Sequence, residues 1–391
     1  MWRSVWLLLV MVVVVAGPAV LASAHRHARQ VAKCSPEEPC TPLNACQHFQ
    51  NLLRGPSRNE AARLIRKAVC STDRRNTMVC CPKSSGVTTP TTPRPTPTPT
   101  PATPPPAPTP TIDPAVGEAS LPKSCGSVRS FNKIFFGEDA NLGDHPWMAL
   151  LGYGTKESPK WGCGAALITE SYVLSAGHCV DLAFTGGLSV VMVRLGEHNL
   201  ATSKDCETQM GTGGQLCAEP VQDIPPAAIY KHHKFNSLSH ANDDISLLKL
   251  QKKATFNLFV QPICLPPVGF DVKSFLGGRN ATVAGWGRTE NSPTSDILQR
   301  VHLPQVDLEE CKNLYEGNVT PDELCFGGAG RRDSCVGDSG GPLFAVGLGN
   351  PTYTLIGVVS RGRSQCGTPG IPAVYTNVAH YRQWIIENLR P

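Results

Sequence analysis

Long basic runs and cysteines at CxxC spacing are both missing from this chain. Its net charge is +5 over 391 residues, without a cluster of Lys and Arg, so composition does not point to nucleic acid. None of its 16 cysteines stands in a CxxC pair, the spacing typical of a zinc site. After residue 24, no apolar run is long enough to cross a bilayer. The sequence therefore predicts neither a nucleic acid nor a membrane as a partner.

The longest apolar segment lies at the N-terminus. Residues 1–24 begin "MWRSVW", continue through "LLLVMVVVVAG" and end in "ASA". A positive start, an apolar centre and small residues at the exit are typical of a secretory signal peptide, with cleavage before His25. A membrane anchor is the alternative, but the run is shorter than the roughly 18–20 residues of a membrane span. We therefore expect a secreted, extracellular protein.

Secretion gives the cysteines an oxidising environment, where an even number is typical of disulfides. Metal binding is the alternative, and the missing CxxC pairs speak against it. Two N-x-T sequences, at Asn280 and Asn318, are predicted acceptors for N-glycosylation.

Composition changes sharply at residue 84. Residues 84–120 are dominated by Pro and Thr, as in "TTPTTPRPTPTPTPATPPPAPTPT". Because proline fixes φ and removes a backbone donor, we expect an extended spacer without a packed core. It separates a small unit, residues 33–82, from a large one, residues 134–391.

The small unit is rich in cysteine. A unit of about 50 residues buries too little apolar surface to be stable without cross-links, so we expect disulfides. Leu43, Cys46, Phe49 and Leu53 have helical spacing, which predicts a short helix. Spacing alone does not choose among the pairings. The six cysteines are Cys34, Cys40, Cys46, Cys70, Cys80 and Cys81.

The large unit has the pattern of an all-β protein. Short apolar runs such as "VVMVRLG", "ISLLKL" and "ATVAGWG" alternate with Gly, Pro and Asn turns, which predicts a barrel or sandwich. Near the C-terminus, Tyr381, Trp384, Ile385 and Leu389 share one helical face. We therefore expect a terminal helix packed on the strands.

A glycine-rich serine segment carries the strongest chemical signal. In "DSCVGDSGGPL", residues 333–343, Ser339 lies between Gly337-Asp338 and Gly340-Gly341. A serine nucleophile needs a base and backbone N–H donors for the oxyanion, and glycines let those N–H groups turn inward. A simple turn is the alternative reading of this segment taken alone.

Two other segments supply the partners of such a serine. "VLSAGHCV" places His178 after a hydrophobic strand, and "NDDISLLKL" places Asp244 at the start of another. In this combination serine attacks, histidine shuttles the proton and aspartate orients the imidazole. Asp243, beside Asp244, is a rival for the orienting role.

Together these segments closely resemble the chymotrypsin-like serine proteases, over nearly all of residues 134–391. The resemblance implies two six-stranded β-barrels with a C-terminal helix, and the triad His178, Asp244 and Ser339 in the cleft between the barrels. It favours Asp244 over Asp243. It also implies an oxyanion hole formed by the backbone N–H groups of Gly337 and Ser339.

The resemblance further implies activation by a cut. Residues 121–133 form the activation segment, and cleavage after Lys133 frees Ile134 to pair with Asp338. The uncut chain is then a zymogen. Phe136 departs from the family's Ile-Val-Gly-Gly pattern, where a glycine is usual, and this affects the geometry of the new N-terminus.

The same resemblance also implies which substrate residue the protease selects. Asp333, six residues before Ser339, lies at the floor of the primary pocket and selects a long cationic side chain, Arg before Lys. A salt-bridged surface aspartate is the alternative. Ala373 stands where glycine is usual and narrows the pocket, and Arg361 replaces an aromatic residue. The implied pocket residues are Asp333, Ser334, Ser360, Gly362 and Ala373.

The small unit, with its adjacent Cys80 and Cys81, resembles the clip domain of arthropod clip-domain serine proteases. Both resemblances imply a set of disulfides, in which the bond from Cys125 keeps the N-terminal piece attached after cleavage. The implied pairs are Cys34–Cys80, Cys40–Cys70, Cys46–Cys81, Cys125–Cys264, Cys163–Cys179, Cys206–Cys217, Cys311–Cys325 and Cys335–Cys366.

No cofactor is required by this chemistry. In relatives the loop closed by Cys206 and Cys217 can hold Ca²⁺, and Glu197 with the carbonyl of Asn199 are the candidate ligands. An unliganded acidic surface loop is the alternative.

We expect a trypsin-like zymogen of a haemolymph cascade that cleaves after Arg or Lys in another zymogen or a cytokine precursor. Prophenoloxidase activation, clotting and Toll-ligand processing all fit. The expected partners are that protein substrate, an upstream activating protease and a serpin. A catalytically impaired homologue acting as a binding cofactor is the main alternative, and a digestive enzyme is the second.

Overall fold

The structure is a computed structural model that divides into two compact units, residues 1–101 and 102–391. The predicted signal peptide, most of the predicted spacer and residues 129–137, which contain the predicted cut, lie outside the described residues. The described residues are 34, 39–42, 46, 48–49, 68–73, 76–82, 114–128, 138–208, 213–235, 242–289, 292–330, 333–347, 349, 351–363 and 365–390.

Unit 1 contains a small antiparallel sheet with strand order β1-β3-β2. Its strands are β1 (Cys40–Pro42), β2 (Val69–Asp73) and β3 (Asn76–Cys80). Cys40–Cys70 joins β1 to β2, Cys34–Cys80 joins β3 to the preceding chain, and Cys46–Cys81 joins segments outside the strands. Cys46, Phe49 and Val79 are buried together, so the described core is small and the cross-links supplement it. Of the predicted helix, His48 and Phe49 are helical, while Leu43 and Leu53 lie outside the described residues.

Unit 2 is mostly β. In chain order its strands are β4 (Glu138–Asp139), β5 (Met148–Gly154), β6 (Pro159–Thr169), β7 (Tyr172–Ser175), β8 (Val190–Leu195), β9 (Cys206–Thr208), β10 (Gln215–Cys217), β11 (Gln222–Ile224), β12 (Pro226–Lys231), β13 (Ser246–Leu250), β14 (Ala281–Gly285), β15 (Gln299–Leu303), β16 (Gln305–Val306), β17 (Glu323–Gly327), β18 (Pro342–Val346), β19 (Tyr353–Arg361) and β20 (Pro372–Asn377).

These strands form two large antiparallel sheets. The first has the order β11-β8-β5-β6-β7-β13-β12 and the second β16-β17-β20-β19-β18-β14-β15-β4, while β9 and β10 form a separate hairpin. The predicted all-β architecture of two curled sheets is confirmed. Seven and eight strands are paired rather than six and six, because short edge strands extend each sheet.

The core lies inside and between the two sheets. Trp147, Leu167 and Leu247 are fully buried in the first, and Phe326 and Tyr375 in the second. Phe344 of β18 packs edge-on against Trp147 of the first sheet, with 5.1 Å between ring centroids. The two sheets therefore share part of one core.

The described residues of unit 2 also form four short α-helices and a 3₁₀ turn at His178–Val180. The α-helices are α1 (Pro114–Ala119), α2 (Val272–Leu276), α3 (Leu308–Leu314) and α4 (Arg382–Asn388). Helix α4 is the predicted terminal helix, and Ile385 and Leu389 of its predicted apolar face are fully buried. Helix α1 occupies the end of the predicted spacer, where the Pro-Thr pattern stops and Pro114 takes the first helical position. None of the helices in the described residues has the length and apolarity that a membrane crossing requires.

Candidate active site

Strand pairing brings His178 and Asp244 together. Strands β7 and β13 are antiparallel, with Ser175 opposite Ser246. His178 follows β7 by three residues and Asp244 precedes β13 by two, so both lie at the same edge of the sheet. His178 Nδ1 lies 2.7 Å from Asp244 Oδ2, and the His178 backbone N–H donates to Asp244 Oδ1 at 2.8 Å. The contacts on both carboxylate oxygens fix the orientation of the imidazole ring.

Asp243 does not contact His178. Its φ is +55°, in the left-handed region, and its Oδ1 accepts a hydrogen bond from the Tyr381 hydroxyl at 3.1 Å. The Asp243 carboxylate also lies 3.2 Å from His232 Nδ1. Of the two neighbouring aspartates, Asp244 alone faces the imidazole of His178.

Ser339 lies on a loop shaped by glycine. Gly337 has φ +103° and Gly340 φ +75°, and a Cβ on Gly340 would lie 2.2 Å from Ser175 Oγ. The Ser339 carbonyl accepts a hydrogen bond from Gly164 N at 2.8 Å, which links the loop to the first sheet. Ser339 and His178 line the same cavity.

Two backbone N–H groups of this loop have no acceptor in the described part of the chain. Within the described residues, the N–H groups of Asp338, Gly340 and Gly341 donate to backbone carbonyls, whereas those of Gly337 and Ser339 do not. Both unused donors belong to the residues that the resemblance assigns to the oxyanion hole. They are free to donate to an oxygen bound beside Ser339.

Asp338 is buried beneath the serine loop. Its Oδ1 accepts from Gly287 N at 3.0 Å and its Oδ2 from Cys335 N at 2.8 Å. Burial raises the pKa of this carboxyl to about 6, because the charged form is poorly solvated there. A cation placed beside it would favour the ionised carboxylate. The predicted partner, Ile134, lies outside the described residues, as do Lys133 and Phe136.

The predicted primary-pocket residues also converge. Asp333 accepts from Gly367 N at 3.1 Å through Oδ2, whereas its buried Oδ1 has no hydrogen-bond partner among the described residues. Burial raises the pKa of Asp333. A Cβ built on Gly362 would lie 3.8 Å from that of Ala373, so these two small residues lie side by side where β19 and β20 pair. Ser334 Oγ lies 2.9 Å from the Tyr375 hydroxyl and is thereby fixed.

Arg361 turns toward a buried carboxylate. Its guanidinium forms an ion pair with Glu323 through its two terminal nitrogens, Nη1 and Nη2. Nη2 also donates to the Asn318 carbonyl at 2.6 Å. The Glu323 side chain is 3 % exposed and accepts in addition from Thr320 N at 3.0 Å. The sequence pattern did not reveal Glu323 as a partner, because it precedes Arg361 by 38 residues and reads as part of an apolar strand.

The remaining predicted pairs in unit 2 are all joined as disulfides: Cys125–Cys264, Cys163–Cys179, Cys206–Cys217, Cys311–Cys325 and Cys335–Cys366. Beside Cys125, Gly126 N donates to the Pro262 carbonyl and Tyr353 N to the Gly126 carbonyl, each at 2.8 Å. The described part of the activation segment is therefore held by backbone hydrogen bonds as well as by a covalent bond. Asn280 and Asn318 are both exposed.

The predicted calcium ligands already accept hydrogen bonds. Glu197 accepts from His198 N at 2.9 Å and from Arg194 Nη1 at 3.1 Å, and burial raises its pKa. The Asn199 carbonyl accepts from Thr202 N at 3.0 Å. The Arg194 guanidinium would compete with a cation for the Glu197 carboxylate. Calcium binding by this loop stays a prediction.

Two family models match the chain. The model described as Trypsin matches residues 134–385, and the one described as Regulatory CLIP domain of proteinases matches residues 39–81. The first covers more than half of the chain. The second lies within unit 1.

Individual relatives agree with the family models. Phenoloxidase-activating factor 3 of Holotrichia diomphalia is 42 % identical over 273 residues, which are 68 % of this chain and 75 % of that protein. CLIP domain-containing serine protease HP8 of Bombyx mori is 37 % identical over 374 residues, which are 91 % of this chain and 93 % of that protein.

A solved structure extends the likeness to three dimensions. The crystal structure of Drosophila Grass, a clip serine protease of the Toll pathway, has a TM-score of 0.61 and 31 % sequence identity, covering 91 % of this chain and 96 % of that chain. The predicted resemblance and fold class are confirmed. The chain therefore belongs to the clip-domain serine proteases of the trypsin family, and it is a trypsin-like serine endopeptidase.

Proposed function

We propose that this endopeptidase is a secreted zymogen, activated by cleavage between Lys133 and Ile134, that cleaves after Arg or Lys in a downstream zymogen or cytokine precursor. The observation that carries the proposal is the Asp333 carboxylate: it is desolvated, and its Oδ1 has no partner among the described residues. A buried acceptor without a donor is costly, and a guanidinium from a substrate removes that cost.

In the proposed reaction, Ser339 Oγ attacks the carbonyl carbon of the scissile bond, and His178 takes the serine proton. The N–H groups of Gly337 and Ser339 donate to the oxyanion. His178 then gives the proton to the leaving amine as the C–N bond breaks, and water hydrolyses the acyl-enzyme by the same steps. Asp244 holds the imidazole tautomer and stabilises the imidazolium throughout. The hydrogen bonds between Asp244 and His178 support this assignment.

Regulation by a cut is supported by the burial of Asp338. In our proposal the new ammonium at Ile134 pairs with this carboxylate, and the pair closes the oxyanion loop because Asp338 is next to Ser339. Coulombic attraction is strong in a desolvated site, so the pair stabilises the active loop. The Cys125–Cys264 bond keeps the N-terminal piece attached after the cut.

The proposed biological role is limited proteolysis in an innate-immune cascade. The relatives include phenoloxidase-activating factors and a protease of the Toll pathway. By this analogy the protease acts in haemolymph, is activated by an upstream protease, is inhibited by a serpin and docks through its clip domain. N-glycans at the exposed Asn280 and Asn318 fit a secreted protein.

The test treats the purified proenzyme with a trace of trypsin-like protease, followed by N-terminal sequencing and hydrolysis of matched Arg and Lys peptides. We expect a new N-terminus with the sequence Ile-Phe-Phe-Gly together with hydrolysis of the Arg peptide. The Ser339→Ala variant is expected to be cut in the same way but to hydrolyse neither peptide. The same cut without activity would support the alternative of a binding cofactor. Activity without any cut would contradict the zymogen proposal.

A further inference from the structure

Residues 114–128 lie N-terminal to the predicted cut and pack against the C-terminal helix α4. Within their helix α1, only Gly117 is buried. A Cβ at Gly117 would overlap the carbonyl oxygen of Ile386 and lie 2.7 Å from Ile386 Cγ2, and Ile386 is itself 1 % exposed. The backbone of α1 therefore lies directly on α4, which requires a residue without a side chain at this point of α1.

An ion pair joins the same two helices. The Arg382 guanidinium contacts both carboxylate oxygens of Glu118, with 2.9 Å between Nη2 and Oε2, and its Nε donates to the Pro266 carbonyl at 2.7 Å. The Arg382 side chain is 12 % exposed, and among the described residues Glu118 is the one carboxylate that pairs with it. Departure of Glu118 would leave a largely buried guanidinium without its counter-charge, which is unfavourable.

The contacts continue along unit 2 after α1. Leu121 packs against the core of the first sheet. Gly126 N donates to the Pro262 carbonyl, and the Gly126 carbonyl accepts from Tyr353 N, each at 2.8 Å. A Cβ at Gly126 would overlap the Tyr353 carbonyl oxygen, so this part of the chain is also in close backbone contact. The contacts therefore begin before Cys125 and extend beyond it, and its disulfide is one attachment among several.

The surface that receives residues 114–128 is separate from the catalytic residues. It consists of α4, residues 262–266 and Tyr353 at the start of β19. None of the contacts above involves the triad, the predicted oxyanion hole or the predicted primary pocket. A segment bound at this surface can therefore stay bound while the protease acts on a substrate.

We propose that residues 114–128 are a non-covalent anchor, which holds the N-terminal piece on the cut protease even when the disulfide of Cys125 is open. The clip domain belongs to that piece and stays attached with it. Gly117 and Glu118 determine the fit, so the surface formed by α4 and residues 262–266 suits a helix with a glycine followed by an acid. The inference concerns attachment alone and is independent of the proposed substrates and of the proposed site of the activating cut.

The test uses the full chain with Ser339→Ala, Cys125→Ser and Cys264→Ser, so that no covalent bond joins the two pieces after a cut. A recognition sequence for a site-specific protease, inserted within residues 129–133, makes the cut independent of natural activation. We expect both pieces to elute together in size-exclusion chromatography at micromolar concentration and to separate in guanidinium. Separation without denaturant overturns the anchor.

Variants of α1 test the assigned contacts through the Kd of the two pieces. Gly117→Leu is expected to raise Kd at least about tenfold because its side chain would overlap α4, although leucine favours a helix more than glycine does. Glu118→Gln should raise Kd about threefold, as a partly exposed ion pair is lost. Val116→Ser is the matched control, because Val116 is 40 % exposed on the same helix. An unchanged Kd in Gly117→Leu, or an equal rise in Val116→Ser, overturns the assignment.

Hydrogen exchange is a second measurement, which keeps both cysteines and so does not depend on the folding of the serine variant. Ser120 N donates to the Val116 carbonyl at 3.2 Å and Leu121 N to the Glu118 carbonyl at 3.1 Å. After the cut we expect these amides to exchange as slowly as in the uncut chain, and at least about tenfold more slowly than in Gly117→Leu. Exchange at the rate of an unfolded peptide after the cut would contradict the anchor.

Discussion

Ser360 Oγ donates a 2.7 Å hydrogen bond to Asp244 Oδ2, the same oxygen that faces His178 Nδ1. Asp244 lies just before β13 of the first sheet, and Ser360 lies at the end of β19 in the second. The bond therefore couples the orientation of the triad to the docking of the two sheets.

Removing this donor tests the coupling. We expect Ser360→Ala to lower kcat/KM about tenfold, since a hydrogen bond to a buried charge contributes roughly 1.5–3 kcal/mol and Asp244 retains its contacts with His178. Steady-state kinetics with an Arg peptide measures kcat/KM of the variant and of the unchanged enzyme. Ser246→Ala is the control, because its buried hydroxyl donates to the Ala176 carbonyl and not to Asp244. Equal losses in both variants would contradict a specific role for Ser360.

The Ala373 methyl is expected to control selectivity between Arg and Lys. Ala373→Gly removes a methyl group beside Gly362, which leaves more room for water between a lysine ammonium and Asp333. We expect the ratio of kcat/KM for Arg over Lys peptides to fall by a few-fold, within the range of one methyl group. Asp333→Ser is the control and should abolish most cleavage after either residue. An unchanged ratio in Ala373→Gly would contradict the assigned pocket wall.

The pKa of Asp338 predicts a pH dependence for the uncut protein. The pKa is about 6 in the folded state against 3.8 for an ordinary aspartate, so the folded state binds more protons than the unfolded state between these values. Its stability therefore falls as pH rises from about 4 to about 7, by up to roughly 3 kcal/mol at ~1.4 kcal/mol for each pH unit.

The measurement compares Ser339→Ala proenzyme with and without Asp338→Asn, because the second substitution removes the titrating group. Unfolding in guanidinium is followed by tryptophan fluorescence at pH 4.5 and pH 7. After residue 24, all tryptophans lie in unit 2: Trp147, Trp161, Trp286 and Trp384. The same pH dependence in both proteins would show that Asp338 does not carry the effect.

The Arg361–Glu323 pair predicts non-additive stability effects. Arg361→Ala leaves the buried Glu323 carboxylate without its cation and should destabilise unit 2 by about 2–3 kcal/mol. This is below the ~3–5 kcal/mol of a fully buried pair, because the Arg361 side chain is 23 % exposed. The double variant Arg361→Leu/Glu323→Met should recover most of the loss. Unfolding in guanidinium, carried out in the Ser339→Ala background, measures the free energy of unfolding of the single and double variants. Losses of free energy that simply add up in the double variant would contradict the pairing.

The candidate site could be predicted largely because its residues stand in short, distinctive segments. Ser339, Asp338 and Asp333 belong to one stretch of glycine and acid residues, and His178 and Asp244 adjoin apolar strands. Such short-range patterns can be recognised in the sequence without knowledge of the tertiary structure. The exchange of an aromatic residue for Arg361 was visible too, but its consequence was not, because the partner Glu323 is distant in the chain.

Secondary structure could likewise be predicted where a short segment carries its own pattern, and not where an element depends on a distant partner. Alternating apolar runs and turns predicted an all-β unit, and the C-terminal face of Tyr381, Ile385 and Leu389 predicted a helix. The short edge strands β4, β11 and β16 have two or three residues each and no apolar pattern of their own. They pair because a neighbouring strand offers hydrogen bonds, which a local pattern does not reveal.

By itself, the amino-acid sequence determined the class of this protein, because triad chemistry, glycine-dependent turns and cysteine-stabilised small units each require particular residue types at short spacing. Only the tertiary structure decided which aspartate faces His178 and which carboxylate binds Arg361. Those relationships join atoms on different strands and loops. Their distances depend on the packing of the two sheets against each other.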